Sequence, residues 1–405
     1  MKPLRFSLFL LSLLVAACTP ASPATEALNA PTLEAASTAA AITEETQPSP
    51  QPAIAPQDTP LPNEINAPVI ESPSIINIEM LDEVYGWAVT EENIIRTNDG
   101  GVTWYDVTPA SLADAGYLVY PDFLNETTAW VQFPDMNRYP NGGKLYHTAN
   151  GGQTWEAFNT PFSGGALHFT DERNGWMLSD LGVGAGSMAV SIFQTGDGGA
   201  TWTRVYTNDP NFAGAGESLP LGGIKNLILP LDSQTAWVGG VIYAPGQAYL
   251  YRSDDGGKTW FQINLALPAD AAESELSVQD ILFVSPSEGL LVIRMTAAAP
   301  KTIVYATEDG GNTWSLLPVT FEGYGILETP SARELIFYSA DKFYVTNDAG
   351  RTVTVVTPEI AFGESILDMS FANSRTGWVV TTSPSNERLL YKTTDSGATW
   401  IPLIP

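Results

Sequence analysis

Seven times along the chain an acid or amide is followed within two positions by glycine, in octets such as "TNDGGVTW" (97–104). The others are "TANGGQTW" (148–155), "TGDGGATW" (195–202), "SDDGGKTW" (253–260), "TEDGGNTW" (307–314), "TNDAGRTV" (346–353) and "TTDSGATW" (393–400). Their third positions are Asp99, Asn150, Asp197, Asp255, Asp309, Asp348 and Asp395. Carboxylates beside glycine could hold a cation or cradle a phosphate. An EF-type calcium loop ends in a bidentate Glu at position twelve, which no octet supplies. A phosphate loop needs Gly-Lys-Ser/Thr, which is absent too. Asn150 in place of Asp is tolerated by a hydrogen-bonded turn and disfavoured in a cation site. The turn reading explains every position. The carboxylate accepts backbone N–H groups across the bend, glycine supplies positive φ, the Thr hydroxyl closes the turn, and Trp covers the hairpin. The octets are expected to be structural, with no metal and no cofactor.

Other chemistry is sparse. The chain has two histidines, His147 and His168, and one cysteine, Cys18. A Ser-His-Asp triad is hard to build from these, and zinc by His and Cys is excluded by number. The 45 acids make chance carboxylate pairs abundant, so no single pair is informative in the sequence alone. With 18 basic residues against them the net charge is −27, which argues against nucleic acid and against a polybasic dock on lipid.

The elements that carry the octets repeat with them. Successive third positions lie 39 to 58 residues apart, a period that belongs to propellers or solenoids. A Gly/Ala-Trp slot precedes most octets (Trp87, Trp130, Trp176, Trp237, Trp378), with Gly289-Leu290 in copy five and a degenerate "ELIFY" (334–338) in copy six. Short β-branched and aromatic runs between turn residues give four strands per copy. The fold class is all-β: a seven-bladed β-propeller of four-stranded antiparallel blades over 74–405, preceded by a disordered tether. All eleven tryptophans fall in octets or in the second slot, so they are scaffold.

The N-terminus reads differently. Residues 1–17 have Lys2 and Arg5 ahead of an apolar run, as in a secretory signal. Residues 19–73 contain no aromatic residue, no Lys and no Arg, and are rich in Pro, Ala, Thr and Ser. Such a segment cannot offset its ordering entropy, and about 55 residues of it span about 40 Å.

"VAAC" (15–18) resembles the bacterial lipoprotein lipobox, which implies lipidation of Cys18 and cleavage before it, with 18–73 as lipid-bearing linker. The octet resembles the Asp-box, or BNR repeat, in which this turn joins the third and fourth strands of a blade. Asp-box propellers include sialidases, but the Phe/Tyr-Arg-Ile-Pro motif of that family is missing here. They also include xyloglucanase-type hydrolases, which use two propellers. The cadence over 74–405 is most similar to the BNR-like propellers of the photosystem II assembly and stability factor family, which bind partner proteins. This resemblance implies a monomeric, non-catalytic lipoprotein outside the cytoplasm, membrane-attached through Cys18, with an unidentified protein or glycan partner and no nucleic acid. The alternative is a sialidase-like or other glycoside hydrolase acting at the channel mouth.

The expected binding face is the one opposite the octets. Its longest loops are 133–144, 179–188, 207–223 and 241–249, and Arg138, Tyr139, Phe212, Tyr243, Arg294 and Arg388 are its candidate contacts. Ring closure is expected to rest on packing of blade one against blade seven, because each blade is contiguous in sequence. The tether is expected to contribute no strand.

Overall fold

A computed structural model describes residues 65–112 and 119–403. Among these residues, twenty-eight strands form six hydrogen-bonded sheets. Five sheets have four strands each, and the eight-stranded one is two blades joined only through the pair Val241–Ser277. The result is seven contiguous antiparallel blades, at 75–106, 120–160, 165–207, 224–262, 275–322, 326–356 and 366–402.

Burial in most blades is greatest in the second and third strands and lower in the first and fourth, as in Gly86–Thr90 and Ile94–Thr97 against Ile75–Met80 and Tyr105–Asp106. Second strands such as Gly86–Thr90 are buried throughout, because blades pack against both of their faces. Their tryptophans Trp87, Trp130, Trp176, Trp237 and Trp378 are essentially removed from solvent. Fourth strands such as Glu156–Thr160 are largely exposed on the rim.

The seven octets form one turn repeated seven times. In the first, the Thr97 hydroxyl donates to Asp99 at 2.9 Å and accepts from the Gly101 N–H at 3.0 Å. The Thr103 N–H donates to the same carboxylate at 2.8 Å. In the turns of Asp197, Asp255, Asp309, Asp348 and Asp395, the second Thr hydroxyl also donates to the carboxylate. Asn150 keeps the fold of the turn with one reversal: its amide donates to the Thr154 hydroxyl at 2.8 Å.

The octets also join blades. A Cβ on Gly101 would lie 3.3 Å from the Trp378 indole nitrogen of blade seven, and one on Gly257 would lie 2.7 Å from Trp176 of blade three. Both glycines have positive φ, so conformation and close approach select glycine together. Indole N–H groups complete the seams: Trp378 donates to the Gly100 carbonyl and Trp130 to the Gly198 carbonyl, each at 2.9 Å.

Inner-strand side chains stitch neighbouring blades. Asp368 accepts the Ile78 N–H at 2.9 Å, Ser370 accepts the Met80 N–H at 2.9 Å, and Asp122 accepts the Phe169 N–H at 2.7 Å. The first two close the ring between blades seven and one. There Ile75, Ile78, Ala88 and Trp104 share one apolar cluster with Trp378, Val380 and Leu390. Every blade is made of contiguous sequence, and closure is by packing.

One expectation is corrected. The last residues of the segment 18–73 do contribute pairing. Val69 bridges Tyr105 on the outer strand of blade one, with Ile70 N–H donating to Trp104 and Asp106 N–H to Pro68. Ile65 is buried in the blade-one cluster, and Ala67 packs on it. The physical reason is that an outer strand only two residues long, Tyr105–Asp106, leaves Trp104 and Val107 open, and alternating apolar residues of 65–70 cover them. Cys18 and the rest of the linker lie outside the described residues.

Candidate functional site

Between blades two and three, on the face opposite the octets, the ring opens into a small cleft of about 100 Å³. Tyr120, at the start of the first strand of blade two (Tyr120–Phe123), forms one wall. Met136 and Tyr139, from the loop linking the second and third strands of that blade, form another. Asp180, on the second strand of blade three (Gly175–Gly184), faces them. Met136 is 61% exposed and Tyr139 is 48% exposed, so apolar surface is presented to water at the mouth. Burial, and then the Asp180 carboxylate nearby, push both the Tyr120 and Tyr139 hydroxyls above the usual phenol range. Those hydroxyls therefore stay protonated and able to donate beside an acceptor. Gly164 permits the close fit, since a Cβ there would lie 2.2 Å from the Tyr120 ring.

Beneath the cleft lies a carboxyl of unusual character. Asp122 is two positions after Tyr120 on one strand, hence on the same side and about 7 Å further along. It lies 3.5 Å from His168 on the first strand of blade three. Burial lifts Asp122 to about 7 against the opposing pull of the Phe169 N–H, and burial lowers His168 to about 4. Although the two are within ion-pair distance, these directions disfavour the charged pair: His168 is neutral, and Asp122 keeps its proton up to near neutral pH. Exposure at the channel wall is 30% for the His168 side chain and 15% for Asp122.

The other expected contacts are dispersed. Phe212 lies under the Arg204 guanidinium at 4.0 Å, and Tyr243 approaches Gly186 of the neighbouring blade's hairpin. Both are exposed on the face opposite the octets, as expected of that surface. Arg138 curls over its own loop against Gly142. Arg294 donates to the Gly325 carbonyl at 3.1 Å, and Arg388 bonds Ser74 and pairs with Glu91 at 3.1 Å. The three arginines thus serve three different places in the ring and form no carboxylate clamp. Segment 179–188 is a paired hairpin, from Ser179–Ser191 to Gly184–Ser187, where an open loop was expected. The long connection 208–223 is anchored by Lys225. Its buried ammonium donates to the carbonyls of Met188, Leu221, Gly222 and Gly223. Burial lowers this amine to about 8.

His147 stacks on Trp130 at 4.8 Å and is a packing residue. Among the described residues no group of three or more His, Cys, Asp or Glu could hold a metal ion. Sequence reasoning does not single out Tyr120, Met136, Asp122 or Asp180, because none falls in an octet or in the Gly/Ala-Trp slot and acids are too numerous. No sequence signal singles out Asp122, because the same position opposite the second-slot residue holds Glu79, His168, Leu229, Leu282, Glu328 and Ser370 in the other blades.

The fold and its turns define an Asp-box, BNR-repeat β-propeller. The BNR/Asp-box repeat family matches residues 251–262. A xyloglucanase from Paenibacillus sp is 24% identical over 267 residues, 59% of this chain and 24% of that protein. A probable oligoxyloglucan-reducing end-specific xyloglucanase of Neosartorya fischeri is 30% identical over 128 residues, 32% of this chain and 14% of that protein. The chain therefore spans about a quarter or less of the length of these relatives. Among solved structures, the GH74 xyloglucanase from Xanthomonas campestris aligns at 13% identity with a TM-score of 0.56, covering 84% of this chain and 55% of the other. YCF48 bound to D1 peptide aligns at 16% identity with a TM-score of 0.49, covering 82% and 95%. The expectation of a non-catalytic protein is corrected by the two xyloglucanases, which place enzymes among the sequence relatives.

Proposed function

We propose that this chain is a carbohydrate-active propeller that takes a neutral glycan at the channel mouth between blades two and three and hydrolyses it there. The observation that carries the reading is the cleft itself: Tyr120, Tyr139 and Met136 around Asp180, with the protonated carboxyl of Asp122 beneath. Sugar rings offer apolar C–H faces to aromatic and thioether surface and hydroxyls to carboxylates, and this cleft supplies both. A chain of net charge −27 repels polyanions, which favours an uncharged glycan. In this reading Asp122, held at about 7, is the general acid to the leaving oxygen. The Asp180 carboxylate is the general base that activates water, the division of labour found in inverting hydrolysis. The xyloglucanase relatives support this class of substrate. The protein would work outside the cytoplasm, held to a membrane by lipid on Cys18.

The test is hydrolysis of xyloglucan and cellulose-type oligosaccharides by the purified protein and by Asp122→Asn. The variant keeps a carbonyl acceptor for the Phe169 N–H and loses the acidic proton. The expected result is retained binding with cleavage lowered at least a hundred-fold. Equal cleavage by both proteins would remove Asp122 from the mechanism. No binding of any neutral glycan would refute the reading.

A further inference from the structure

A second and larger cleft, of about 300 Å³, lies on the outer side of the ridge formed by Tyr139 and Pro140. Its floor comes from the face of blade three that meets blade two, with Ser179, Ser191 and Phe193, and its rim from Leu181, Arg204 and Phe212. Its origin is legible in the strand register. Ser179 and Ser191 face each other across the second and third strands of blade three. The corresponding cross-strand pairs are Phe133–Lys144, Gly240–Tyr249, Ile293–Ile303 and Thr381–Leu389 in blades two, four, five and seven. Each of those has at least one bulky member. Blade three alone among these places two small hydroxyl residues there, and the packing between blades stops short.

The floor is also chemically unfinished. Ser179 is fully buried, and its hydroxyl has no hydrogen-bond partner. An interior hydroxyl left without a partner is unfavourable, so it is a standing demand for a polar ligand atom or a water. Around it Pro140, Pro161, Leu181 and Phe193 are apolar, and Arg204 stacked on Phe212 brings donors to the rim. Apolar walls with a few convergent hydroxyl and guanidinium groups fit one uncharged sugar ring.

Resting on the function proposed above, we infer that this outer cleft is a second sugar subsite. The glycan then crosses the Tyr139–Pro140 ridge, with a disaccharide unit on the mouth side and a further residue in the outer cleft. The mouth cleft takes the residue that is processed, and the outer cleft takes a neighbouring or branching residue and sets chain-length preference. A small ligand that reaches only the mouth gains nothing from the outer cleft.

Titration calorimetry with two probes, cellobiose and a xyloglucan heptasaccharide, separates the subsites. The heptasaccharide is expected to bind the unmodified protein at least ten-fold more tightly than cellobiose. Ser179→Leu, which fills the floor, and Phe212→Ala, which removes an exposed part of the rim, are each expected to weaken the heptasaccharide about ten-fold. Neither should change cellobiose. Tyr139→Ala should weaken both probes. If Ser179→Leu is poorly folded by circular dichroism, Phe212→Ala decides alone. Heptasaccharide affinity unchanged in Phe212→Ala, with binding lost in Tyr139→Ala, overturns the outer subsite and leaves the mouth site standing. No binding of either probe by the unmodified protein overturns both.

Discussion

Removing one octet carboxylate, Asp197→Ala, tests whether the acid-glycine turns hold the scaffold. Three groups lose their acceptor: the Thr201 N–H at 2.9 Å, the Thr201 hydroxyl at 2.6 Å and the Thr195 hydroxyl at 2.8 Å. The Thr201 groups are exposed and recover bonds to water, whereas Thr195 is nearly buried and recovers less. The net cost is then about 1–2 kcal/mol, near the value of one or two ordinary hydrogen bonds. Over roughly 340 folded residues the unfolding entropy is about 0.7 kcal/mol per degree, so the melting temperature should fall by about 1.5–3 °C. Asn150→Asp should stay within about 0.5 kcal/mol, because an aspartate there accepts from the Thr154 hydroxyl as its six counterparts accept or are able to. Differential scanning calorimetry, with Glu92→Ala as an exposed-charge control, measures all three. An unchanged melting temperature in Asp197→Ala together with lost glycan cleavage would refute the structural assignment and make the octets functional.

The Asp122–His168 pair should reveal itself through opposite pH slopes. A carboxyl raised from 3.8 to about 7 gives stability that is present below pH 3.8 and lost as pH rises through 7. An imidazole lowered from 6.5 to about 4 gives stability that is present above pH 6.5 and lost as pH falls through 4. The two offset in the parent protein, so His168→Gln should become less stable from pH 4 to 7 and Asp122→Asn more stable over the same window. Urea melts at several pH values would show it, and parallel slopes in the two variants would refute the pairing. Deleting residues 19–64 should leave the melting temperature unchanged. Extending the deletion to residue 70 should lower it by several degrees, since it removes Ile65 and Ile70 and uncovers Trp104. Cys18→Ala should abolish incorporation of labelled palmitate and move the protein to the soluble fraction, with the melting curve unchanged; retention in the detergent phase would refute lipidation.

The ring was legible from sequence because its determinants are local and repeated. An octet fixes its own turn through bonds spanning two to four residues, and a Gly/Ala-Trp slot fixes the strand buried between blades. Seven such units with contiguous strands leave one arrangement. What the sequence concealed depends on residues from different blades meeting. Asp122 is one acid among 45 until the Phe169 N–H and His168 are placed beside it. Lys225 reads as an ordinary surface lysine, and only the fold encloses its ammonium in four carbonyls. The strap at 65–70 was hidden for a different reason: its proline-flanked alternation resembles the linker before it, and its partner strand is too short to announce an open edge.

The same contrast explains why the candidate chemistry gathers at one blade boundary. Packing at most seams is completed by a bulky cross-strand pair, and stitching by carboxylates such as Asp368 joins inner strands across the seam. Blade two begins with Tyr120 and Asp122, and blade three supplies Asp180, Ser179 and Ser191. Polar and small residues there replace apolar filling only at the end of the seam away from the octets, while Trp130, Leu145, Phe162, Phe169 and Phe193 keep an apolar cluster across the rest of it. A repeat fold of this kind can leave one interface under-packed without losing the ring, and the space left open is where a ligand can bind.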